Sequence, residues 1–119
     1  MIQGKRALAA RIGPLLVVSA WLGGCATLTL PVTMSMQNTP EHFVGSATGH
    51  LDGAGEIEVT SDSGAKCVGR FVYVNGRQGR GTLACGDGRS GAFDFVSTGS
   101  RGTGQGQIMG QPFTLLFGK

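Results

Sequence analysis

From residue 27 onward, apolar and polar positions alternate with a period of two. Leu28, Leu30, Val32, Met34 and Met36 interleave with Thr27, Thr29, Pro31, Thr33 and Ser35. That period predicts a strand with one apolar face. Pro31 has no backbone donor, so it predicts an edge position or a bulge. The segment "QNTPEH" (37–42) then reads as a turn. From Phe43 the chain repeats a form: Phe-Val, a variable turn, then small-x-Gly-x-apolar. The copies are "FVGSATGHL" (43–51), "FVYVNGRQGRGTL" (71–83) and "FVSTGSRGTGQGQI" (95–108). Turn signals separate the runs at Asp52-Gly53, Ser61 to Gly64, Asn75-Gly76, Asp87-Gly88, Gly99 and Gly110. No helical period is visible after residue 25. The expectation is an all-β domain: a small antiparallel meander of about seven to eight short strands, as a rolled sheet or a small barrel.

One hairpin can be set by arithmetic. With Gly76 at the tip, paired residue numbers sum to 152. Tyr73 then faces Gly79, Phe71 faces Gly81, Gly69 faces Leu83 and Cys67 faces Cys85. Positions two apart share a face, so all of these lie on one side of the pleat. A strict two-residue turn at Asn75-Gly76 gives a sum of 151 and separates the cysteines. The odd-length loop is therefore expected, as a type I turn with a glycine bulge. Directly opposed cysteines on antiparallel neighbours come within disulfide range. Two free thiols, or half of an intermolecular metal site, are the alternatives, but no His or third Cys nearby has zinc spacing. The glycines facing Phe71 and Tyr73 leave room for a ring to lie on the backbone. Phe93 and Phe95 can use Gly102, Gly104 or Gly106 in the same way. For every aromatic the expected role is core packing.

The N-terminal segment obeys different rules. Lys5, Arg6 and Arg11 precede an apolar run, "IGPLLVVSAWL" (12–22). That run is too short for a bilayer span, which needs about 20 residues. A charged start, a short apolar middle and small residues at the end make a secretory signal. This one ends Leu22-Gly23-Gly24-Cys25, which resembles the lipobox of bacterial lipoproteins. The resemblance implies that the Cys25 thiol takes a diacylglyceryl group, that residues 1–24 are removed, and that Cys25 becomes an acylated N-terminus. Residues 25–119 would form one lipid-anchored domain, since several acyl chains hold a protein stably at a membrane. Residue 26 is Ala and not Asp, so the expected address is the outer membrane, facing the periplasm. A plain signal peptide with a chance cysteine is the alternative.

The lipobox changes the charge balance. The whole chain carries 10 basic and 7 acidic residues. Three of the basic residues leave with the signal, so the mature chain is neutral and no nucleic-acid partner is indicated. An oxidising compartment also favours a Cys67–Cys85 disulfide. A small domain of this size gains from such a staple.

Residues 67–93 resemble the MORN repeat, through Gly69, Phe71, Gly79, Gly81, Leu83, Asp87, Gly88, Gly91 and Phe93 in order. The leading aromatic is replaced by Cys67 in one copy and by Arg89 in the other. The resemblance implies a repeated-hairpin sheet used for membrane-proximal scaffolding.

Signals of chemistry are sparse. His42 falls in a turn and His50 in a strand, neither with a patterned carboxylate or cysteine partner. Ser63-Gly-Ala-Lys66 has Ser-x-x-Lys spacing, but in a turn instead of on a helix. "GTGQGQ" (102–107) lacks the Lys-Ser/Thr of a phosphate loop. "DGAGE" (52–56) lacks the oxygen ladder of a calcium loop. Asp94 points away from the rings beside it. Tyr73 and Arg70 are candidate contact residues. No catalytic residue, metal site or cofactor is expected.

The expectation is a non-enzymatic envelope lipoprotein, a binding or structural module held at the membrane by Cys25, with an envelope protein as a possible partner. The alternative is a periplasmic ligand-binding barrel or a lysozyme-inhibitor-like one. Small one-disulfide β-barrel lipoproteins that block lysozyme are similar in size and address, an analogy of class alone. A pocket lined by Phe and Met would favour the ligand reading, and a closed, glycine-packed interior the scaffold reading.

Overall fold

The computed structural model describes residues 27–118. The lipobox residues Leu22, Gly23, Gly24 and Cys25 lie outside the described residues. The described chain forms eight strands: β1 (Thr27–Met36), β2 (His42–His50), β3 (Ala54–Ser61), β4 (Lys66–Tyr73), β5 (Gln78–Cys85), β6 (Ser90–Thr98), β7 (Arg101–Ile108) and β8 (Gln111–Gly118). Each pairs antiparallel with the next, and β8 returns to β1 to close a barrel. Closure removes the free edges that a rolled sheet would leave.

The β4–β5 register is the one the cysteines require. Cys67 faces Cys85, Gly69 faces Leu83, Phe71 faces Gly81 and Tyr73 faces Gly79. The disulfide is formed. The register is centred on Gly76, as expected, but the loop contains no glycine bulge. Gly76 is absent from the residues with positive φ. Instead the Asn75 side-chain oxygen accepts from the Arg77 and Gln78 amides at 2.9 and 2.8 Å. An Asx-type side-chain bond thus replaces the expected backbone device. The other turn glycines, Gly53, Gly64, Gly88, Gly99 and Gly110, all have positive φ. At the β7–β8 turn Met109 shares it, with φ of 51°, as a two-residue type I′ turn requires.

Pro31 is the first residue of β1 beyond its β8 register, which runs Val32↔Phe117 to Met36↔Phe113. Pro31 thus pairs with β2 alone, where β1 runs past its β8 partner, and its missing donor is lost from no ladder on that side. The three Phe-Val pairs obey the pleat. Phe43, Phe71 and Phe95 turn inward, while Val44, Val72 and Val96 stand on the outer surface.

Three inward glycines let the sheet coil tightly. A Cβ at Gly45, Gly69 or Gly91 would lie 1.8 Å from a backbone carbonyl oxygen of the next strand. Such glycine kinks allow a small barrel to turn its corners.

The core occupies one end of the barrel. Phe43, Phe113, Met34, Ile108, Val59 and Cys67 are buried there, at 0 or 1% exposure. The β1–β2, β3–β4, β5–β6 and β7–β8 loops close over this end. At the opposite end lie the start of β1, the end of β8, and the β2–β3, β4–β5 and β6–β7 loops.

Candidate functional site

The opposite end is hollow, and its glycines explain why. The ring of Phe71 lies on Gly55, Phe95 on Gly79, Phe93 on Gly81 and Phe117 on Gly102. A Cβ at each of these glycines would come within 2.1–2.5 Å of the ring's Cζ. Each ring thus covers its cross-strand partner on the preceding strand. This corrects the sequence reading in one respect. Phe71 and Tyr73 do face Gly81 and Gly79 in register, but the rings over those glycines belong to Phe93 and Phe95. Likewise Phe93 and Phe95 face Gly106 and Gly104, yet their rings turn to the other neighbour. A ladder register fixes which residues are opposite, not to which side a ring leans.

Rings folded against the wall leave the barrel axis vacant. A cavity of about 390 Å³ opens at this end. Its floor is Val32, Ile57 and Leu115, each only 2 or 3% exposed. Phe71, Phe95 and Phe117 form its aromatic wall. Phe95 ties that wall together, with Phe71, Tyr73 and Phe117 edge-on at centroid distances of 5.6, 5.1 and 5.7 Å, the favoured aromatic geometry. Leu28, Leu30 and Ala47 complete the apolar side. Gly49 also lines the cavity, and a Cβ built on it meets nothing within 4 Å.

Polar groups are confined to the rim. The Tyr73 hydroxyl donates to Ser97 Oγ at 3.0 Å, and the Ser97 amide donates to the Arg77 carbonyl at 2.7 Å. Buried Ser97 is thereby satisfied. His50, the last residue of β2, is 2.9 Å from Glu56 through Nε2 and Oε1. This carboxylate partner was not expected from the sequence. His42 begins β2 instead of lying in the turn, and its Nδ1 sits 3.3 Å from Ser35 Oγ.

The densest charged network is at the closed end. Arg89 grips Glu41 with two hydrogen bonds, of 2.8 and 3.0 Å, and reaches Asp87 through Nε at 2.9 Å. Glu41 also accepts from the hydroxyls of Ser61 and Ser63, at 2.6 and 3.2 Å. The guanidinium lies 5.6 Å from the Phe43 ring centroid. The Arg89 hydrogen bonds, followed by that from Ser61, lower the Glu41 carboxyl from its usual 4.5 to about 2, against the opposing effect of burial. Every member of this network has a partner, and it caps the solid core. It was missed in the sequence because Glu41 and Arg89 are 48 positions apart.

The remaining sequence candidates find structural roles. Ser63 turns to Glu41, and Lys66 pairs with Glu58, so the Ser-x-x-Lys pair does not converge. The glycines of "GTGQGQ" line the inner face of β7 beneath Phe117, Phe95 and Phe93. Asp52 accepts from the Ala54 amide at 3.0 Å, closing its own turn. Asp94 is exposed on the outer face, in register between Arg80 and Gln105. Of the two contact candidates, Tyr73 lines the cavity and Arg70 stands outside the barrel. Cys67 and Cys85 belong to the closed end. Among the described residues, no three His, Cys, Asp or Glu side chains gather as a metal ion would need.

No family model matches the chain, and no curated protein sequence matches it. Among solved structures, a de novo designed fluorescence-activating β-barrel is similar, with a TM-score of 0.59. The match covers 76% of this chain and 90% of that one, at 13% identity. A likeness at that identity is one of fold alone.

Proposed function

We propose that this protein is a non-enzymatic envelope lipoprotein whose barrel holds a small apolar molecule in its open end. In this reading Cys25 is lipidated, the domain faces the periplasm, and the open end binds while the closed end supports. The cavity carries the proposal. Its volume lies in the range of small-molecule sites, its wall is apolar and aromatic, and its few polar groups converge at one rim. The Phe lining is the feature that favours a ligand over a purely structural sheet; the Met side chains that the sequence reading also looked for, Met34 and Met36, lie in the core instead.

Gly49 provides the test. Gly49→Leu starts its side chain from a Cβ that meets nothing within 4 Å and adds volume at the cavity lining. The Cys25→Ser form, lacking the acceptor thiol, is titrated with the uncharged dye N-phenyl-1-naphthylamine and its fluorescence is followed. Saturable binding is expected, weakened at least about tenfold by Gly49→Leu with an unchanged circular dichroism spectrum. Equal binding by both forms would place the dye elsewhere and refute the reading.

A further inference from the structure

Both ends of the described chain meet at the cavity mouth. β1 starts there and β8 finishes there. Thr27, two positions after Cys25, lines the cavity itself. Two residues span at most about 7 Å. A barrel anchored through Cys25 therefore holds its mouth against the lipid surface, with the closed end pointing away.

The rim fits that placement. Leu51 at the β2–β3 turn is 85% exposed, Leu28 57% and Val74 52%. The mouth half carries Arg70, Arg77, Arg80 and Arg101 against Asp52, Glu56 and Asp94, a formal charge of +1. The closed half carries Lys66 and Arg89 against Glu41, Glu58, Asp62 and Asp87, or −2. The sign at the mouth suits an anionic lipid surface.

The polarity inside the cavity identifies the ligand class. Below the rim the lining is hydrocarbon from Leu30 and Phe71 to Val32 and Ile57. The Tyr73 hydroxyl is committed to Ser97, and Thr27 and His50 stand at the mouth. A heteroaromatic or a sugar would bury polar groups without partners there, which is costly. A molecule with a long apolar tail and one polar end would not. We infer that the cavity takes a single fatty acyl chain, tail first, its polar head left at the rim, with the mouth turned to the membrane. This rests on the apolar-ligand reading and narrows it.

The experiment is dye displacement from the Cys25→Ser form by saturated fatty acids from octanoate to stearate. Each methylene that enters the cavity adds roughly 0.8 kcal/mol, or about fourfold in affinity. A steady gain that levels off once the tail reaches the floor supports the inference. Gly49→Leu should move that plateau to shorter chains. Dye binding that fatty acids fail to disturb, or disturb equally at every length, overturns the acyl chain and leaves the apolar-ligand reading standing. Absence of dye binding in the first place overturns both. The lipidated protein distinguishes the source of the chain. In detergent-free lipid nanodiscs, if it binds fatty acid as the Cys25→Ser form does there, the occupant is a chain other than the anchor's; if it is blocked while the Cys25→Ser form is not, the chain is that of the anchor. Orientation is read separately. The only tryptophan, Trp21, lies in the signal segment, so Leu51→Trp and Met109→Trp each give a single reporter. Brominated acyl chains in anionic vesicles should quench the first and spare the second. The reverse would overturn the membrane-facing mouth.

Discussion

The two ends of this barrel use the same alternating strands and differ in what stands beside their aromatic rings. At the closed end Phe43 lies in the ladder between Met34 and Ser61. Side chains flank it on both sides, so its ring is directed to the axis, where it is 0% exposed. Phe113 has Gly106 beside it, but that glycine is already covered by the backbone and Cβ of Phe93. Its ring too is fully buried. At the open end Phe71, Phe95 and Phe117 each lie down on a glycine of the preceding strand, whose nearest neighbours are that ring and one backbone carbonyl oxygen. In this barrel a glycine beside an aromatic lets the ring lie on the wall, and the axis is hollow where three such rings meet at the open end; Phe93 lies on Gly81 in the same way but stays in the core. The same ring volume builds a core at one end and a cavity wall at the other.

The difference can be broken by mutation, and the effects should be ordered. Phe113→Ala should be the most costly, by about 3–5 kcal/mol, because it empties a closed core. Phe71→Ala should cost less, about 1 kcal/mol, since that ring borders an existing void and is half-buried. Urea denaturation of the two variants compares them, and equal losses would erase the distinction. Reducing the Cys67–Cys85 disulfide, which closes 18 residues, should cost about 3 kcal/mol in the chain-entropy model. Dye affinity of the folded protein should change little, because the bond lies at the closed end.

Next in size is the Glu41 cap. Its carboxyl is held at about 2 when folded, below the usual 4.5. A lowered carboxyl contributes stability that is fully present above the unfolded value and is lost as pH falls towards the folded one. Stability should therefore decline from about pH 5 to about pH 2. The side chain is 19% exposed, so solvent at the closed end reduces the effect to on the order of 2 kcal/mol. Glu41→Gln should remove that part of the pH dependence in acid denaturation curves. The smallest effect is that of Gly49→Leu, whose stability should stay within about 1 kcal/mol of the parent while dye binding falls.

Much of the fold was legible because strands are local objects. The period-two pattern predicted β1, and the turn glycines located the strand ends. The fixed sum at the Asn75-Gly76 loop paired Cys67 with Cys85 in the correct register. The cavity was not legible, since it depends on lateral choices. Neither the ladder nor the composition states that Phe95 leans to Gly79 instead of Gly104. That choice is visible only once the neighbouring strands are in place, where Gly79 takes the ring and Gly104 meets Leu115. Closure of β8 on β1 and the Glu41–Arg89 cap are long-range contacts for the same reason. Tyr73 was singled out as a contact candidate without its setting, which only the barrel supplies.

The central claim is that binding belongs to the open end alone. Site-resolved amide hydrogen exchange of the Cys25→Ser form, with and without saturating apolar dye, tests it most directly. The account predicts that added protection is confined to the mouth halves of the strands, around Leu30, Ala47, Ile57, Phe71 and Phe95. The amides near Phe43, Cys85, Ile108 and Phe113 should exchange as before. Protection that rises evenly around the barrel, or first at the closed end, would contradict it.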